Sequence, residues 1–593
     1  MIFGKHIRRY YLRYAPMLLL GLLTLVAVDY LQLIIPNLYQ LVINGMNDGT
    51  VLYQGAETAF TMDFLLERIC FPMIGIILAM VFGRFLWRIC FFGTAIWVET
   101  DLRRRMFDRA KNLSHQYYQV NKVGSLMSLF TNDLDTVQEC FGWGIMMFFD
   151  ALLLGALAIW RMWQMDGMLT ILSLIPMGLL LAAATVVGKH MTKKWDLRQE
   201  AFSSLSDFAQ ESFSGIAVIK AFVKEALELM AFKKLNEENE KRNVSHTQSS
   251  VLLRILVTLF VESVACIILG YGGYLVYKDE FNAGQLVEFM GYFTAIVWPI
   301  MAVSELIDMT SRGKASLSRI SELLDAQPDV TDAPDAKPIA DVKGNIIFRD
   351  LTFRYPDGET DVLTNVNFSI AAGERVGIVG KTGAGKTTLV DLLLRVYNVP
   401  DGTVFIDGED VNKITIASLR AACAYVPQDN FLFSDTIGNN IGFGVDNATA
   451  EEIESAAVLS DIHDNISQFP NTYDTVLGER GVTVSGGQKQ RISIARALMK
   501  DAPILILDDS VSAVDTKTEE TILDNLYRQR QGKTTIFIAH RISTISQMDK
   551  ILFIDGGTIA AQGTHQQLYD TNAEYKKMVD LQKLEEEEGS NHV

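Results

Sequence analysis

Apolar residues are spread unevenly along the chain: the long runs fall in the first 310 residues, and the remainder alternates short β-like and helical patterns. Six stretches, near 15–43, 69–98, 140–160, 168–188, 251–277 and 285–307, are each long enough to cross bilayer hydrocarbon. An even number of spans leaves both ends on one face. The connections after the second and fourth stretches are long and carry Arg103, Arg104, Arg105, Arg109, Lys111, Lys189, Lys193 and Lys194, whereas the others are short or weakly charged. The positive-inside rule therefore puts these connections and both termini in the cytoplasm. The same connections, roughly 99–139 and 189–250, keep a helical period, as in LRRRMFDRAKNL and FSSLSDFAQESFSGIAVIKAF, so the spans are expected to continue as helices beyond the membrane. The loop 44–68, with Gly45, Gly49 and Gly55, is expected to be external and irregular.

Residues 1–14 mix Ile2, Phe3, Ile7, Tyr10 and Leu12 with Lys5, Arg8, Arg9 and Arg13, the pattern of a short amphipathic helix on a membrane surface. The apolar run behind it holds Asp29 and passes Ile35 without a small-residue cleavage site, which reads as a span rather than a signal peptide. Over 325–343 the composition turns to Pro, Asp and Ala. The expected order is an amphipathic elbow helix 1–14, an α-helical six-span membrane domain 15–312, a linker 313–342, an α/β P-loop nucleotide-binding domain 343–582 with an antiparallel β extension, and an acidic tail 583–593.

Charge and cysteines change this picture little. The net charge of -17 averages two unlike halves and argues against a nucleic-acid partner. Cys70, Cys90, Cys140, Cys266 and Cys423 show no paired metal or redox spacing and read as reduced and structural.

The chemistry is concentrated after a strand-like run, 375–379, where GKTGAGKT occupies 380–387 and opens a helical pattern through Leu394. This is a P-loop: Gly380, Gly383 and Gly385 let successive N–H groups face a phosphate, with Lys381, Thr382, Ala384 and Thr388 completing the cradle. Lys386 reaches the outer phosphates, and the Thr387 hydroxyl suits Mg²⁺. The apolar run ILIL before Asp508 puts that carboxylate at the carboxyl end of a strand, where open α/β sheets bind ligands. Thr387, Asp508 and Gln428 are the candidate Mg²⁺ ligands, being hard oxygen donors.

In this order the motifs resemble those of the ATP-binding cassette (ABC) family. The resemblance implies that Tyr355 stacks on adenine, that Gln428 in AYVPQDN is the Q-loop glutamine, and that TVLGERG at 475–481 is the exporters' X-loop. It makes Ser485, Gly486, Gly487 and Gln488 the signature, closing on the nucleotide of a second subunit, Asp515 in SAVD the D-loop aspartate, and His540 the switch histidine. Six spans ahead of one cassette resembles the half-transporter layout of ABC exporters, the type IV transporter fold. The layout implies ATP and Mg²⁺ as cofactors, ATP hydrolysis coupled to translocation, coupling segments near 114–118 and 204–215, membrane lipid around the spans, and a bacterial inner-membrane location.

One departure stands out. Exporters place glutamate after the Walker B aspartate to polarise the attacking water, and here the position is Asp509, so the catalytic set becomes Asp509, His540 and Gln428. A weakened carboxylate beside an intact SGGQ resembles the degenerate-site subunit of heterodimeric bacterial multidrug exporters, which implies a second, different half-transporter as partner. The readings held against it are a homodimeric lipid or peptide exporter in which aspartate suffices, and a nucleotide-sensing regulatory subunit that transports nothing. Asp29, Asp150 and Glu262 fall inside apolar spans and are candidates for a cavity that takes small hydrophobic or amphipathic substrates, cations in particular. Arg84 and Arg88 in the second stretch weigh against an acidic cavity, and interhelical pairing or snorkelling is the alternative for all five.

Overall fold

The computed structural model describes residues 4–53, 55–478, 481 and 483–590. Among them, six helices are long and apolar enough to cross a membrane: Ala15–Asp48, Met62–Lys111, Val123–Met165, Gly167–Ser214, Glu225–Tyr277 and Ala283–Asp325. The fifth has 53 residues. At about 1.5 Å per residue it is more than twice as long as a hydrocarbon core of about 30 Å is thick, so polar-faced helix continues well beyond the bilayer. The first is interrupted at Leu33 and Ile34, just before Pro36, whose missing N–H suits the start of a helix and not its middle.

The chain forms two compact units, Met1–Lys111 with Val123–Ala326, and Asn112–Lys122 with Gln327–Val593. In the first unit, the third and sixth spans pack along their length. The Cys140 thiol donates to the Met309 carbonyl at 3.1 Å, and Arg319 Nε donates to Asp133 Oδ2 at 3.1 Å. The fourth and fifth spans pair with each other, and Lys194 Nζ donates to the Ser245 carbonyl at 3.2 Å. The elbow helix is Arg8–Arg13, with Ile7 and Tyr10 buried and the Tyr10 hydroxyl donating to Asp101.

Two expectations need correction. The segment 44–68 is not irregular throughout: β1 (Thr50–Tyr53) and β2 (Ala56–Ala59) pair antiparallel, with Gly55 between them at φ +83°. Val51 anchors it in a cluster with Leu38, Leu41, Phe64 and Ile69, burial that counting glycines does not reveal. The linker expected from residue 313 starts later, because helix continues to Asp325 with Leu317, Ile320, Leu323 and Leu324 buried on one face. The extended chain beyond it lies on the second unit: Lys337 bridges Ile414, Ile416 N–H donates to Asp332, and Arg395 donates to the Thr331 carbonyl.

The second unit holds two sheets. The antiparallel one comprises β3 (Ile346–Phe353), β4 (Leu363–Ile370), β6 (Val404–Ile406) and β7 (Glu409–Asp410), in the order β4-β3-β6-β7. The larger one comprises β5 (Arg375–Gly380), β8 (Cys423–Val426), β9 (Ile504–Asp508), β10 (Thr534–Ile538), β11 (Lys550–Asp555) and β12 (Thr558–Gly563). Its order is β12-β11-β5-β10-β9-β8, parallel except for β12 at the edge. β9 and β10 are buried at every position, as strands covered on both faces must be, so their ends are the only open points.

Close approach of the first and sixth spans rests on a missing side chain: a Cβ at Gly291 would lie 2.8 Å from the Pro36 ring. Gly291→Leu is therefore expected to lower the stability of the full chain in detergent by about 1–3 kcal/mol. Thermal unfolding followed by tryptophan fluorescence checks this, and an unchanged Tm would contradict the packing.

Candidate functional site

β5 leads into the P-loop, and the helix Lys386–Leu393 leaves it. Gly385 caps that helix at φ +95°, and a Cβ there would lie 2.7 Å from Leu363 Cδ2, so both backbone and space require glycine. Lys381, Thr382 and Gly383 are exposed on the loop, while Ala384 and Thr388 are buried beneath it. Lys386 is also buried, and its Nζ donates to the carbonyls of Gly380 at 2.9 Å and Lys381 at 3.1 Å. Burial draws its pKa below the usual lysine range, while Asp508 and Asp509 act the other way.

Asp508 ends β9 and is 1 % exposed. The Thr387 hydroxyl bonds its carboxyl, whereas Oδ2 has no hydrogen-bond partner. Burial pushes this carboxyl above the usual carboxylate range. A buried carboxylate oxygen without a donor, beside a threonine hydroxyl, is a donor set that a hard divalent cation fits. Gln428 lies two residues beyond β8 and is exposed; no hydrogen bond joins it to Thr387 or Asp508 among the described residues.

At Asp509 the chain turns sharply, with φ +47° and its N–H bonded to the Ile538 carbonyl at 2.8 Å. Short polar side chains tolerate that left-handed geometry best. The Asp509 carbonyl accepts from Ser512 Oγ at 3.0 Å and from Gln490 Nε2 at 3.4 Å, while Gln490 Oε1 accepts the Ala513 N–H at 2.9 Å. Gln490 belongs to the helix Gly486–Met499, so one buried amide ties the turn after Asp508 to the SGGQ helix. His540 acts electrostatically on Asp508, and its segment is held by Gln582, which donates to the His540 carbonyl at 2.6 Å and accepts the Ile542 N–H at 2.8 Å. Both glutamines escape a sequence reading because their partners are main-chain atoms distant in the chain.

Ser485 caps the Gly486–Met499 helix: its hydroxyl accepts the Gln488 N–H at 3.3 Å, and Gln488 Oε1 accepts the Ser485 N–H at 3.0 Å. Gly486 and Gly487 occupy the first turn, where backbone N–H groups have no intrahelical partner. Asp515 likewise caps Thr516–Gln529 by accepting the Thr518 N–H at 3.1 Å, a bond that holds its exposed carboxyl below the usual range. In the segment 475–481, Glu479 and Arg480 lie outside the described residues.

Tyr355 is half-buried, its hydroxyl 2.9 Å from Thr388 Oγ1 and its ring edge-on to Tyr397 at 5.1 Å. Tyr397 in turn donates to Gln119 Oε1 at 2.7 Å, from the helix His115–Val120 in the connection between the second and third spans. Ser114 donates to Asp329 in the same unit. The other expected coupling segment, 204–215, is the end of the long fourth-span helix, and a separate short helix, Ile216–Ala221, follows it. Phe213, Phe222 and Val223 are 70–80 % exposed there.

In the membrane unit the structure brings Asp29 and Asp150 into contact, and not Glu262. Asp29 is 2 % exposed and meets the carboxyl of Asp150, to which Trp298 Nε1 donates at 2.8 Å. Arg84 lies near both and donates to Gln32 at 3.2 Å. Glu262 is exposed on the fifth span, apart from this group.

Residues 18–300 match the ABC transporter transmembrane region, and residues 363–512 match the ABC transporter family. The chain is 36 % identical over 591 residues to the probable multidrug resistance ABC transporter ATP-binding/permease protein YheI of Bacillus subtilis, covering 98 % of this chain and 97 % of that one. It is 36 % identical over 562 residues to the multidrug resistance-like ATP-binding protein MdlA of Escherichia coli, covering 95 % and 93 %. The structure of a bacterial Atm1-family ABC exporter with ATP bound superposes with a TM-score of 0.76 at 29 % identity, over 97 % of this chain and 98 % of that one.

Asp391, on the P-loop helix, has its carboxyl pushed up to about 6 by burial and by Asp508. The folded chain therefore holds that proton more tightly than the unfolded chain does. The resulting stabilisation is complete below the ordinary carboxylate range and is lost as the pH rises through about 6. Asp391→Asn, neutral throughout, is expected to raise the Tm at neutral pH, with the gain shrinking as the pH falls through that value. Thermal unfolding of both proteins at matched pH values checks this; an equal gain at every pH would contradict it.

Proposed function

The chain belongs to the ABC transporter family, a membrane domain followed by its ATP-binding cassette, and from that premise we propose that it is the slow-site half of a heterodimeric exporter. ATP-driven export is the activity of this architecture. The observation that carries the finer reading is Asp509, which stands on a left-handed turn directly after the buried Asp508. A carboxylate one methylene shorter than glutamate is withdrawn by roughly 1 Å from a water that must be aligned with a γ-phosphate, and displacements of that order cost about a hundredfold in rate.

The division of labour follows from the residues. Backbone N–H groups of 380–388 and Lys386 bind the triphosphate, and Tyr355 supports the adenine. Mg²⁺, held by Thr387 and Asp508 with Gln428 as a further oxygen ligand, would neutralise phosphate charge. Asp509 then orients water poorly, and His540 is left to hold the γ-phosphate, so this site keeps ATP for long periods. The N–H groups of Gly486 and Gly487, set between the capping pair Ser485 and Gln488, serve the nucleotide of the second subunit, whose own glutamate hydrolyses it; Asp515 lies along that contact. The exposed Phe213, Phe222 and Val223 support a docking role for the tip beyond the fourth span, and the Tyr355–Tyr397–Gln119 chain of contacts supports His115–Val120 as the element that senses nucleotide.

The names of YheI and MdlA support hydrophobic or amphipathic cargo, and both names are of bacterial proteins. The reading places this chain in a bacterial inner membrane, with cassette and termini in the cytoplasm. ATP turnover of the purified chain should be near zero, should rise on co-purification with a glutamate-bearing half-transporter, and should increase in the chain alone on Asp509→Glu. Brisk turnover by the chain alone, unimproved by Asp509→Glu, would contradict the proposal and favour a working homodimer.

A further inference from the structure

The Asp29 and Asp150 carboxyls lie on the first and third spans, and they meet each other. Asp29 is 2 % exposed, and its Oδ2 has no N–H or O–H donor. Two carboxyls held against each other, one of them buried, need a proton or another cation between them, because two bare carboxylates only repel. The remaining partners limit what else the site accommodates. Trp298 Nε1 donates to Asp150 Oδ2 at 2.8 Å, from the sixth span. Arg84, on the second span, is the charged group that acts on both carboxyls and also donates to Gln32; Arg88 on the same helix lies over Trp87 instead. With one shared proton the carboxyl pair carries one negative charge, which Arg84 balances. Uncompensated charge at membrane depth is expensive, so loss of the proton requires the arrival of another cation.

Asp150 is only partly buried, so the pair can be reached, and the Trp298 ring beside it is 39 % exposed. An aromatic face next to carboxylates attracts an organic cation through both charge and ring quadrupole. We propose that Asp29 and Asp150 form an exchange site that holds either one proton or the monocationic head of an amphipathic cargo, each displacing the other. When the cation enters, the shared O–H bond breaks, its proton passes to water, and the electron pair stays on the carboxylate, so the charge of the site is unchanged. This rests on the export reading above and specifies its cargo as cationic and its loading as proton-linked.

The test uses the full-length chain in lipid nanodiscs, with tetraphenylphosphonium as a lipophilic monocation and Nile red as a neutral apolar probe. Proton release is read with a pH indicator in weak buffer, and affinity is read across mildly acid to mildly alkaline pH. The expected result is about one proton released for each tetraphenylphosphonium bound, an affinity that weakens by up to about tenfold per unit of falling pH, and no proton release with Nile red. Infrared spectra of the same wild-type protein should lose a protonated-carboxyl carbonyl band as the cation binds, a readout that needs no variant to fold. Asp29→Asn should abolish proton release, and Asp29→Glu should retain it. Cation binding that releases no proton, ignores pH and persists unchanged in Asp29→Asn would overturn the exchange site while leaving the export reading intact. Failure of tetraphenylphosphonium to bind, with or without Nile red, would likewise overturn the exchange site, and the export reading is tested separately by the ATP turnover described above.

Discussion

Asp508 lies at the end of a fully buried strand with one carboxyl contact from Thr387 and an oxygen that no donor reaches. An unsatisfied buried acceptor costs about 1–3 kcal/mol, more when charged, and a bound cation removes that cost. Lys386 is in the complementary state: a buried ammonium bent back onto two carbonyls of its own loop. The cassette is thus folded around two charges that its own atoms satisfy incompletely, and a bound triphosphate with a divalent cation would supply both deficits. The parallel order of β5, β10 and β9 is what sets the two side by side, since each strand delivers its residue at the carboxyl end.

Around that centre, single side chains bind loops to helices. Gln490 holds the turn at Asp509 and the segment at Ala513 against the SGGQ helix, so Asp509 and the SGGQ turn are fixed to the same element. Gln582 closes on both sides of the His540 segment. Tyr397 joins Tyr355 to Gln119, which brings the connection between the second and third spans within two side chains of the nucleotide cradle. Each contact ties together elements that are distant in the chain but belong to the same unit.

Much of this was legible in the sequence, for reasons that differ by region. Membrane spans are long and uniform, so hydropathy alone located them, and the helical period of the connections indicated how far they extend. The P-loop and the strand before Asp508 are local patterns with fixed spacing, which is why 380–388 and 504–509 could be read directly. Asp508 and Lys386 lie within electrostatic reach of each other. The hairpin strands and the helix through 313–325 lie beyond a sequence reading because each rests on burial that local composition does not show. Gln490, Gln582 and Gln119 carried no signal, since an isolated glutamine is a surface residue until the backbone it clamps is known. Three intramembrane acids were visible as an expense; that Asp29 and Asp150 meet while Glu262 stands apart is a matter of helix packing alone.

The central claim is that this chain retains ATP at its own P-loop and lends its signature to a faster site on a different subunit. Site-specific damage in the assembled complex tests it most directly. Turnover of the complex should collapse when this chain's Ser485 is replaced by arginine, and should change little when its Asp509 is replaced by asparagine. Turnover that survives Ser485→Arg but is lost in Asp509→Asn would contradict the claim, because it would place the working site on this chain's own carboxylate.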